Sequence, residues 1–160
     1  MKKIFFVSLM VMLSTISLAK DLRWKNFNDG IAEAKKSGKK VLVDVYTDWC
    51  TWCKKMDEVT YSDKNIKTYL EKNYVLIKLN AEGNENISYA GQKISPAQFA
   101  QQMGIDGYPA TLFLDGRGEP ITVLPGYSEP KMFIHVLSFI GENQYKTKKF
   151  DQYLTEKGVK

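Results

Sequence analysis

The 160-residue sequence has little cysteine and histidine, with two cysteines and one histidine. Two cysteines are too few for a small domain held together by disulfides, and they cannot supply a four-cysteine zinc site. No internal repeat, low-complexity segment or linker divides the chain. The 44% of hydrophobic and 26% of charged residues are ordinary for a globular protein, and the length fits one domain. Disordered and fibrous classes are therefore excluded.

A strong excess of positive charge is also lacking. The formal net charge is +5, and loss of the two lysines within residues 1–19 leaves 21 basic residues against 18 acidic ones, a net charge of +3. No basic stripe with interleaved aromatic residues is present, although nucleic-acid-binding proteins show such a stripe. We therefore expect no nucleic-acid partner.

The first 19 residues have the pattern of a secretory signal peptide. Two lysines precede an apolar run over 4–13, and Ser17 and Ala19 place small residues at the −3 and −1 positions of a cleavage site. The alternative is an uncleaved membrane anchor, but this run is shorter than the ~20 residues that span a bilayer. A lipid-anchored lipoprotein would need a cysteine near the cleavage site, and the sequence has none there. We predict cleavage after Ala19, a single mature domain over 20–160, and a periplasmic or secreted protein.

Hydrophobic patterns along the mature chain alternate between strands and helices. Strands are predicted over 41–46, 74–79, 110–114 and 121–124. Helices are predicted within 21–37 and over 48–58, 63–72, 96–103, 129–140 and 143–157, with a small hairpin around 87–91. The helix over 129–140 places these residues on one apolar face: Met132, Phe133, Val136, Leu137 and Ile140. The order of elements predicts a three-layer α/β sandwich with a mixed central sheet flanked by helices.

The residues that carry chemistry are Cys50 and Cys53, in the run Trp-Cys-Thr-Trp-Cys-Lys over 49–54. This run follows a predicted buried strand and begins a predicted helix. A thiolate at a helix N-terminus faces unpaired N–H groups, which lower its pKa and favour the nucleophilic form. The spacing places Cys53 one turn from Cys50, so the two sulfurs can form a small disulfide ring. We expect an exposed Cys50 to attack a substrate and a shielded Cys53 to resolve the mixed disulfide.

The sequence around this pair resembles the thioredoxin superfamily over about residues 24–140. Thioredoxins have a V-D-F-W-A-x-W-C-x-x-C stretch, which residues 43–53 match. Further matches are the lysine of Lys78-Leu79-Asn80, the cis-proline loop at Gly107-Tyr108-Pro109-Ala110-Thr111, and Gly126 after the last strand. The stretch from Asp48 to Asp63 is similar to the secreted branch, which includes SoxW-type periplasmic thioredoxins and the C-terminal domain of the DsbD reductase. The Thr-Trp dipeptide between the cysteines departs from Gly-Pro and Pro-His.

The resemblance implies that a buried carboxylate exchanges a proton with the resolving cysteine. Asp44 lies in an otherwise apolar strand, and burial raises the pKa of a carboxyl group toward the range that suits proton exchange with Cys53. Lys78 is implied to lie nearby and to modulate this group. The alternatives are that Asp44 faces solvent at the end of its strand, and that Lys78 is an ordinary solvated lysine.

The resemblance also implies the residues of a substrate-binding surface. Pro109 is expected to be cis, to lie against the disulfide and to prevent the dithiol from capturing a metal, while the backbone of Tyr108 pairs with an extended substrate. Trp49 is expected to shield the cysteines and line the substrate groove. Trp52 is either part of the docking surface or a helix residue that covers apolar area. His135, far from the cysteines, is interpreted as a partly exposed helix residue.

These residues predict an extracytoplasmic thiol–disulfide oxidoreductase, acting as a reductase of protein disulfides. We expect a monomer with no metal and no cofactor beyond the Cys50–Cys53 disulfide, and electrons supplied by a membrane partner. A disulfide oxidase or isomerase is the alternative within this class. A metal-binding or chaperone-like module is another, with further ligands from a partner. Attachment of c-type haem requires a histidine where the chain has Lys54. A purely structural disulfide is disfavoured, because a disulfide that closes so short a loop constrains the unfolded chain least.

Overall fold

The computed structural model describes residues 21–159. The predicted signal peptide over 1–19 lies outside the described residues. Within 21–159, no helix is both long enough and apolar enough to cross a membrane.

Helices and strands alternate along the described chain. In order they are α1 (Phe27–Ser37), β1 (Lys40–Tyr46), α2 (Thr51–Lys55) with a π-helical turn (Met56–Thr60), α3 (Lys64–Asn73), β2 (Tyr74–Asn80), β3 (Ile87–Tyr89), β4 (Gln92–Ile94), α4 (Pro96–Gln102), β5 (Ala110–Leu114), β6 (Pro120–Pro125), α5 (Pro130–Gly141), a 3₁₀ turn (Gln144–Lys146) and α6 (Phe150–Glu156).

The main sheet has four strands in the order β2-β1-β5-β6. Strand β1 pairs with β2 in parallel and with β5 in antiparallel orientation, and β5 pairs with β6 in antiparallel orientation. Strands β3 and β4 form a separate hairpin. The predicted mixed sheet and the predicted small hairpin are therefore confirmed. The central position of β1 matters for function, because the loop that carries the cysteines begins at its carboxyl end.

Alternation of side chains along β1 divides the core into two halves. Val41, Val43 and Val45 pack with α1 and α4, where Phe27 and Phe99 meet edge to face at 4.7 Å between ring centroids. Leu42 points to the opposite face of the sheet, where it packs with buried residues of the π-helical turn, α3 and α5. Helices thus cover both faces of the sheet, as the three-layer prediction requires. The side chain of Asp44 has the same parity as Leu42 and lies on the face covered by α2 and its continuation.

Local capping explains where three helices begin and where α1 ends. Asn26 accepts a hydrogen bond from the backbone N–H of Asp29, and Asp63 accepts from two N–H groups at the start of α3. Ser95 and Gln98 form a reciprocal capping box at α4. Helix α1 ends at Gly38, which has a φ of 72° that a residue without a side chain adopts at low cost.

Two expectations about the C-terminal part are wrong. The single helix predicted over 143–157 is interrupted, because Asn143 has a left-handed conformation with φ of 60° and Lys149 is extended. Packing of the α6 rings of Phe150 and Tyr153 against α5 accompanies this fold-back. Met132 is 38% exposed instead of buried. It lies in the first turn of α5, near the end of the helix and four residues before the buried Val136.

Candidate active site

The two cysteines form a disulfide at the start of α2. Cys50 is the N-cap residue, and its sulfur accepts a hydrogen bond from the backbone N–H of Cys53 at 3.0 Å. The predicted pairing is confirmed, but the predicted difference in exposure is not found, since each cysteine is 4% exposed. Closure of the small ring holds the Cys50 sulfur against the helix terminus, where it is as shielded as its partner. This position supplies the N–H donor that favours a thiolate after reduction.

The loop between β1 and α2 is fixed by backbone and side-chain contacts. The N–H of Cys50 donates to the carbonyl of the buried Thr47 at 3.2 Å. Asn80, at the end of β2, donates a side-chain hydrogen bond to Asp48 at 3.1 Å. Because β1 and β2 are parallel, their carboxyl ends meet at this edge of the sheet. The disulfide is therefore presented on a short loop anchored to two neighbouring strands.

Asp44 is a buried carboxyl group in the centre of the sheet, with 2% of its surface exposed. The Tyr61 hydroxyl donates a hydrogen bond to its Oδ1 at 3.3 Å, and Lys78 Nζ lies 3.3 Å from its Oδ2. Burial raises the pKa of Asp44 to about 6, against the opposing effect of the Lys78 charge. The alternative in which Asp44 faces solvent is therefore wrong.

Lys78 lies between two carboxylates and is surrounded by aromatic rings. Besides Asp44 it pairs with Asp57 of the π-helical turn. Its ammonium group lies 5.1 Å from the ring centroid of Trp24 and 5.3 Å from that of Tyr46, within the range of cation–π attraction. The solvated-lysine alternative does not describe this side chain. The structure thus brings Lys78 to Asp44, as the resemblance implies.

The sequence analysis did not identify Asp57 and Tyr61 as part of this cluster. Asp57 lies four residues after Cys53, a spacing that returns to the same side of a helix. That spacing was the available signal for Asp57. The position of Tyr61 depends on the π-helical turn, which changes the rotation of all residues after Lys55 and which no residue type in the sequence specifies.

Two exposed tryptophans precede the two cysteines in sequence, Trp49 before Cys50 and Trp52 before Cys53, and each has an aromatic partner. Trp49 is 65% exposed, its indole N–H donates to both carboxylate oxygens of Glu82 at 3.0 Å, and its ring meets Tyr108 at 6.2 Å. Trp52 is 59% exposed and lies 5.3 Å from the ring of Tyr127. The structure therefore brings Trp49 and Tyr108 together and leaves Trp52 largely exposed.

The loop before β5 contains the predicted cis-proline. The Tyr108–Pro109 peptide bond is cis, and the Pro109 carbonyl accepts a hydrogen bond from the N–H of Gly126 at 2.8 Å. Beside it lies a groove of about 160 Å³, which Tyr108, Ala110 and Gly126 help to line. His135 lies half-buried on α5, as expected. Within residues 21–159, no group of three or more His, Cys, Asp or Glu side chains could hold a metal ion.

Comparison with known proteins agrees with this arrangement. The model of the thioredoxin-like domain family matches residues 27–141. Over 108 residues the chain is 31% identical to the thiol:disulfide interchange protein DsbD of Escherichia coli, which covers 66% of this chain and 17% of DsbD. The chain therefore spans about 17% of the length of the curated relatives it matches.

Solved structures show the same fold. A thioredoxin-fold protein from Helicobacter pylori has a TM-score of 0.63 at 24% identity, covering 76% of this chain and 80% of its own. A thioredoxin from Thermus thermophilus has a TM-score of 0.62 at 22% identity, covering 76% and 88%. The DsbD C-terminal domain of Neisseria meningitidis has a TM-score of 0.52 at 21% identity, covering 69% and 90%. By its sequence and its fold, the chain belongs to the family of thioredoxin-like domains.

Proposed function

We propose that this protein is an extracytoplasmic thiol–disulfide oxidoreductase that reduces protein disulfides. The observation that carries this proposal is the Cys50–Cys53 disulfide, closed across the first turn of a helix at the carboxyl end of the central strand. Its sulfurs are the only redox-active groups that the proposed reaction requires, so no further cofactor or metal is invoked.

The reaction begins from the reduced pair. The Cys50 thiolate attacks one sulfur of a substrate disulfide, which forms a mixed disulfide and releases the other substrate sulfur as a thiolate that takes up a proton. Cys53 then loses its proton and attacks the Cys50 sulfur. This second step releases the remaining substrate thiolate and forms the Cys50–Cys53 disulfide. Two electrons pass from the protein dithiol to the substrate.

We propose Asp44 as the group that accepts the proton of Cys53. It lies on the sheet face covered by α2, the helix that contains Cys53. Burial raises its pKa to about 6, so near neutral pH it is a carboxylate that still binds a proton readily. In this scheme Lys78 modulates the group, because its ammonium charge favours the carboxylate while Asp57 competes for the same ammonium.

We propose that the exposed aromatic side chains form the docking surface for substrates. Trp49 is held by Glu82 and Tyr108, so its ring is preorganised beside the cysteines. Trp52 presents a second indole. Large exposed aromatic groups are typical of binding sites, because their burial contributes most of the energy of many interfaces. Tyr108 and Pro109 complete this surface with the backbone that pairs with an extended substrate.

The cellular setting belongs to the same proposal. The signal-peptide pattern of residues 1–19 supports a periplasmic location, and the similarity to the thiol:disulfide interchange protein DsbD supports thiol–disulfide exchange as the reaction. We propose a monomeric mature domain over 20–160 that does not bind nucleic acid. Each turnover leaves the disulfide, so a reductase requires an electron donor. We propose a membrane protein that supplies these electrons by thiol–disulfide exchange.

Trapping of the mixed disulfide tests this reaction. Purified Cys53→Ser protein, which lacks the resolving thiol, is expected to form a stable covalent adduct with insulin that a thiol reductant dissolves. The matched Cys50→Ser variant is expected to form much less adduct, because the N–H donor at the start of α2 points at the Cys50 sulfur and favours the thiolate of Cys50, not that of Cys53. Wild-type protein is expected to catalyse insulin reduction by dithiothreitol. Equal trapping by both variants, or binding of stoichiometric zinc by the reduced wild type without catalysis, would contradict the proposal.

A further inference from the structure

Tyr61 donates a hydrogen bond to Asp44, and within residues 21–159 no other side-chain hydroxyl does so. Its O–H lies 3.3 Å from Asp44 Oδ1, and both residues are buried. The ring is held from two sides, edge to face against Trp24 at 5.0 Å and against Phe133 at 5.8 Å. Packing on two sides of the ring therefore restricts where the hydroxyl can lie.

The two oxygens of Asp44 have partners of different chemistry. Oδ2 faces the Lys78 ammonium group, which donates hydrogen bonds and cannot accept one. Oδ1 faces the Tyr61 hydroxyl, which donates to a carboxylate and, after rotation of its hydrogen, accepts from a carboxylic acid. A proton on Oδ2 would point at a cation, whereas a proton on Oδ1 has an acceptor.

We propose that Tyr61 is a positioning residue for the proton transfer at Asp44: its hydroxyl holds the carboxyl group and places the proton of the neutral form on Oδ1. This inference rests on the proposed function, in which Asp44 takes the proton of Cys53. Tyr61 itself stays neutral, because burial and the nearby Asp44 charge hold the pKa of its hydroxyl well above the ordinary value. It acts by reversing the direction of one hydrogen bond.

Other groups also face this carboxyl group and contribute to its titration. Lys78 approaches from β2 and Asp57 from the π-helical turn. Tyr46 lies two residues along β1, and Thr111 is the register partner on β5. In the reduced protein the Cys53 thiol adds a further titrating group. A test must therefore remove the tyrosine hydroxyl alone and leave these groups unchanged.

Tyr61→Phe makes that change, because it removes one oxygen and retains the ring between Trp24 and Phe133. The matched control is Tyr74→Phe, which also removes a buried hydroxyl, one that donates to the Leu137 carbonyl at 2.8 Å. The midpoint of Asp44 is read from its side-chain carboxyl carbon by NMR in the oxidised protein. We expect Tyr61→Phe to move this midpoint upward by about half a pH unit or more, because the carboxylate loses a donor. Tyr74→Phe is expected to leave it within about 0.2 unit.

A second measurement uses the wild type and does not depend on the variant. The Tyr61 Cζ resonance is expected to titrate with the same midpoint as Asp44, because the direction of the hydrogen bond changes there. An unchanged Asp44 midpoint in Tyr61→Phe, an equal shift in Tyr74→Phe, or a Tyr61 resonance that does not titrate would overturn the assignment.

The pH dependence of catalysis links this assignment to function. The rate at which Cys53 resolves a mixed disulfide is expected to fall below the Asp44 midpoint, and in Tyr61→Phe this fall is expected at correspondingly higher pH. The NMR titrations need no activity, so they report on Tyr61 even in a protein that fails to reduce insulin. Failure of the proposed function is thereby separated from failure of the role given to Tyr61.

Discussion

At the scale of single residues, the unusual feature is a carboxyl group in the middle of an apolar sheet. Asp44 is surrounded by buried residues, and its two oxygens are used by Tyr61 and Lys78. A charged group in such a place costs stability unless its partners replace water completely. The raised pKa of Asp44 indicates that this replacement is incomplete. A position so unfavourable for folding is typical of a functional site.

The raised pKa of Asp44 predicts how stability depends on pH. The group binds its proton more tightly in the folded state, with a pKa of about 6, than in the unfolded state, with an ordinary value of 3.8. Between these values the folded state holds more protons, so stability falls as pH rises and the full cost is present above pH 6. Asp44→Asn is therefore expected to raise the free energy of unfolding at pH 8 by roughly 2–3 kcal/mol.

Urea denaturation of the oxidised protein checks this prediction. The gain from Asp44→Asn is expected to be much smaller at pH 4, because there the carboxyl group is protonated in the folded state and only partly ionised in the unfolded state. Asp57→Asn is the matched control, since it also removes one partner of Lys78 but at a partly exposed position. An Asp44→Asn gain of the same size at pH 4 and pH 8 would show that the charge of Asp44 does not cause it.

At the scale of elements, most of the fold follows from patterns that can be read in the sequence. Apolar β-branched runs identify β1 and β2, the cap Asp63 identifies the start of α3, and Pro96 identifies the start of α4. The break at Asn143 and the π-helical turn could not be predicted. Each depends on tertiary packing that overrides local preference, in the first case the contacts of α6 with α5.

The contact between α1 and β2 provides a test at this scale. A Cβ atom at Gly30 would lie 2.3 Å from Cγ1 of the fully buried Ile77. Alanine is the better helix former by about 1 kcal/mol, but overpacking of a core costs roughly 1–3 kcal/mol. We expect Gly30→Ala to lower the free energy of unfolding, as measured in urea. Gly107→Ala, where a Cβ meets nothing within 4 Å, is expected to leave it unchanged or slightly higher. Equal stability of the two variants would contradict close packing of α1 on β2.

At the scale of the whole molecule, the fold gathers residues from distant parts of the chain around one disulfide. The resemblance to thioredoxins predicted that Asp44, Lys78, Trp49 and the cis-proline loop belong to the site around Cys50. Asp57, Tyr61, Glu82 and Tyr127 were not predicted. Their proximity depends on strand register, on the π-helical turn and on the loop after β6, and those features are set by the assembled sheet.

The proposed docking surface predicts a difference between large and small substrates. Trp52→Ala removes an exposed ring that lies 5.3 Å from the ring of Tyr127 and leaves both cysteines in place. We expect its kcat/KM for insulin reduction to fall about fivefold or more, which corresponds to roughly 1 kcal/mol of lost binding energy. Reduction of a small aromatic disulfide measured by absorbance is expected to stay within about twofold of wild type. An equal loss for both substrates would place the effect on the cysteines and not on docking.

The reduction potential of the Cys50–Cys53 pair is the most direct test of the whole account. The protein is equilibrated in defined thiol–disulfide buffers, and its free thiols are counted by alkylation. A reductase is expected to titrate as one two-electron couple near the thioredoxin value of about −270 mV. A potential near −120 mV would identify a strong oxidant and contradict the proposed direction of electron flow.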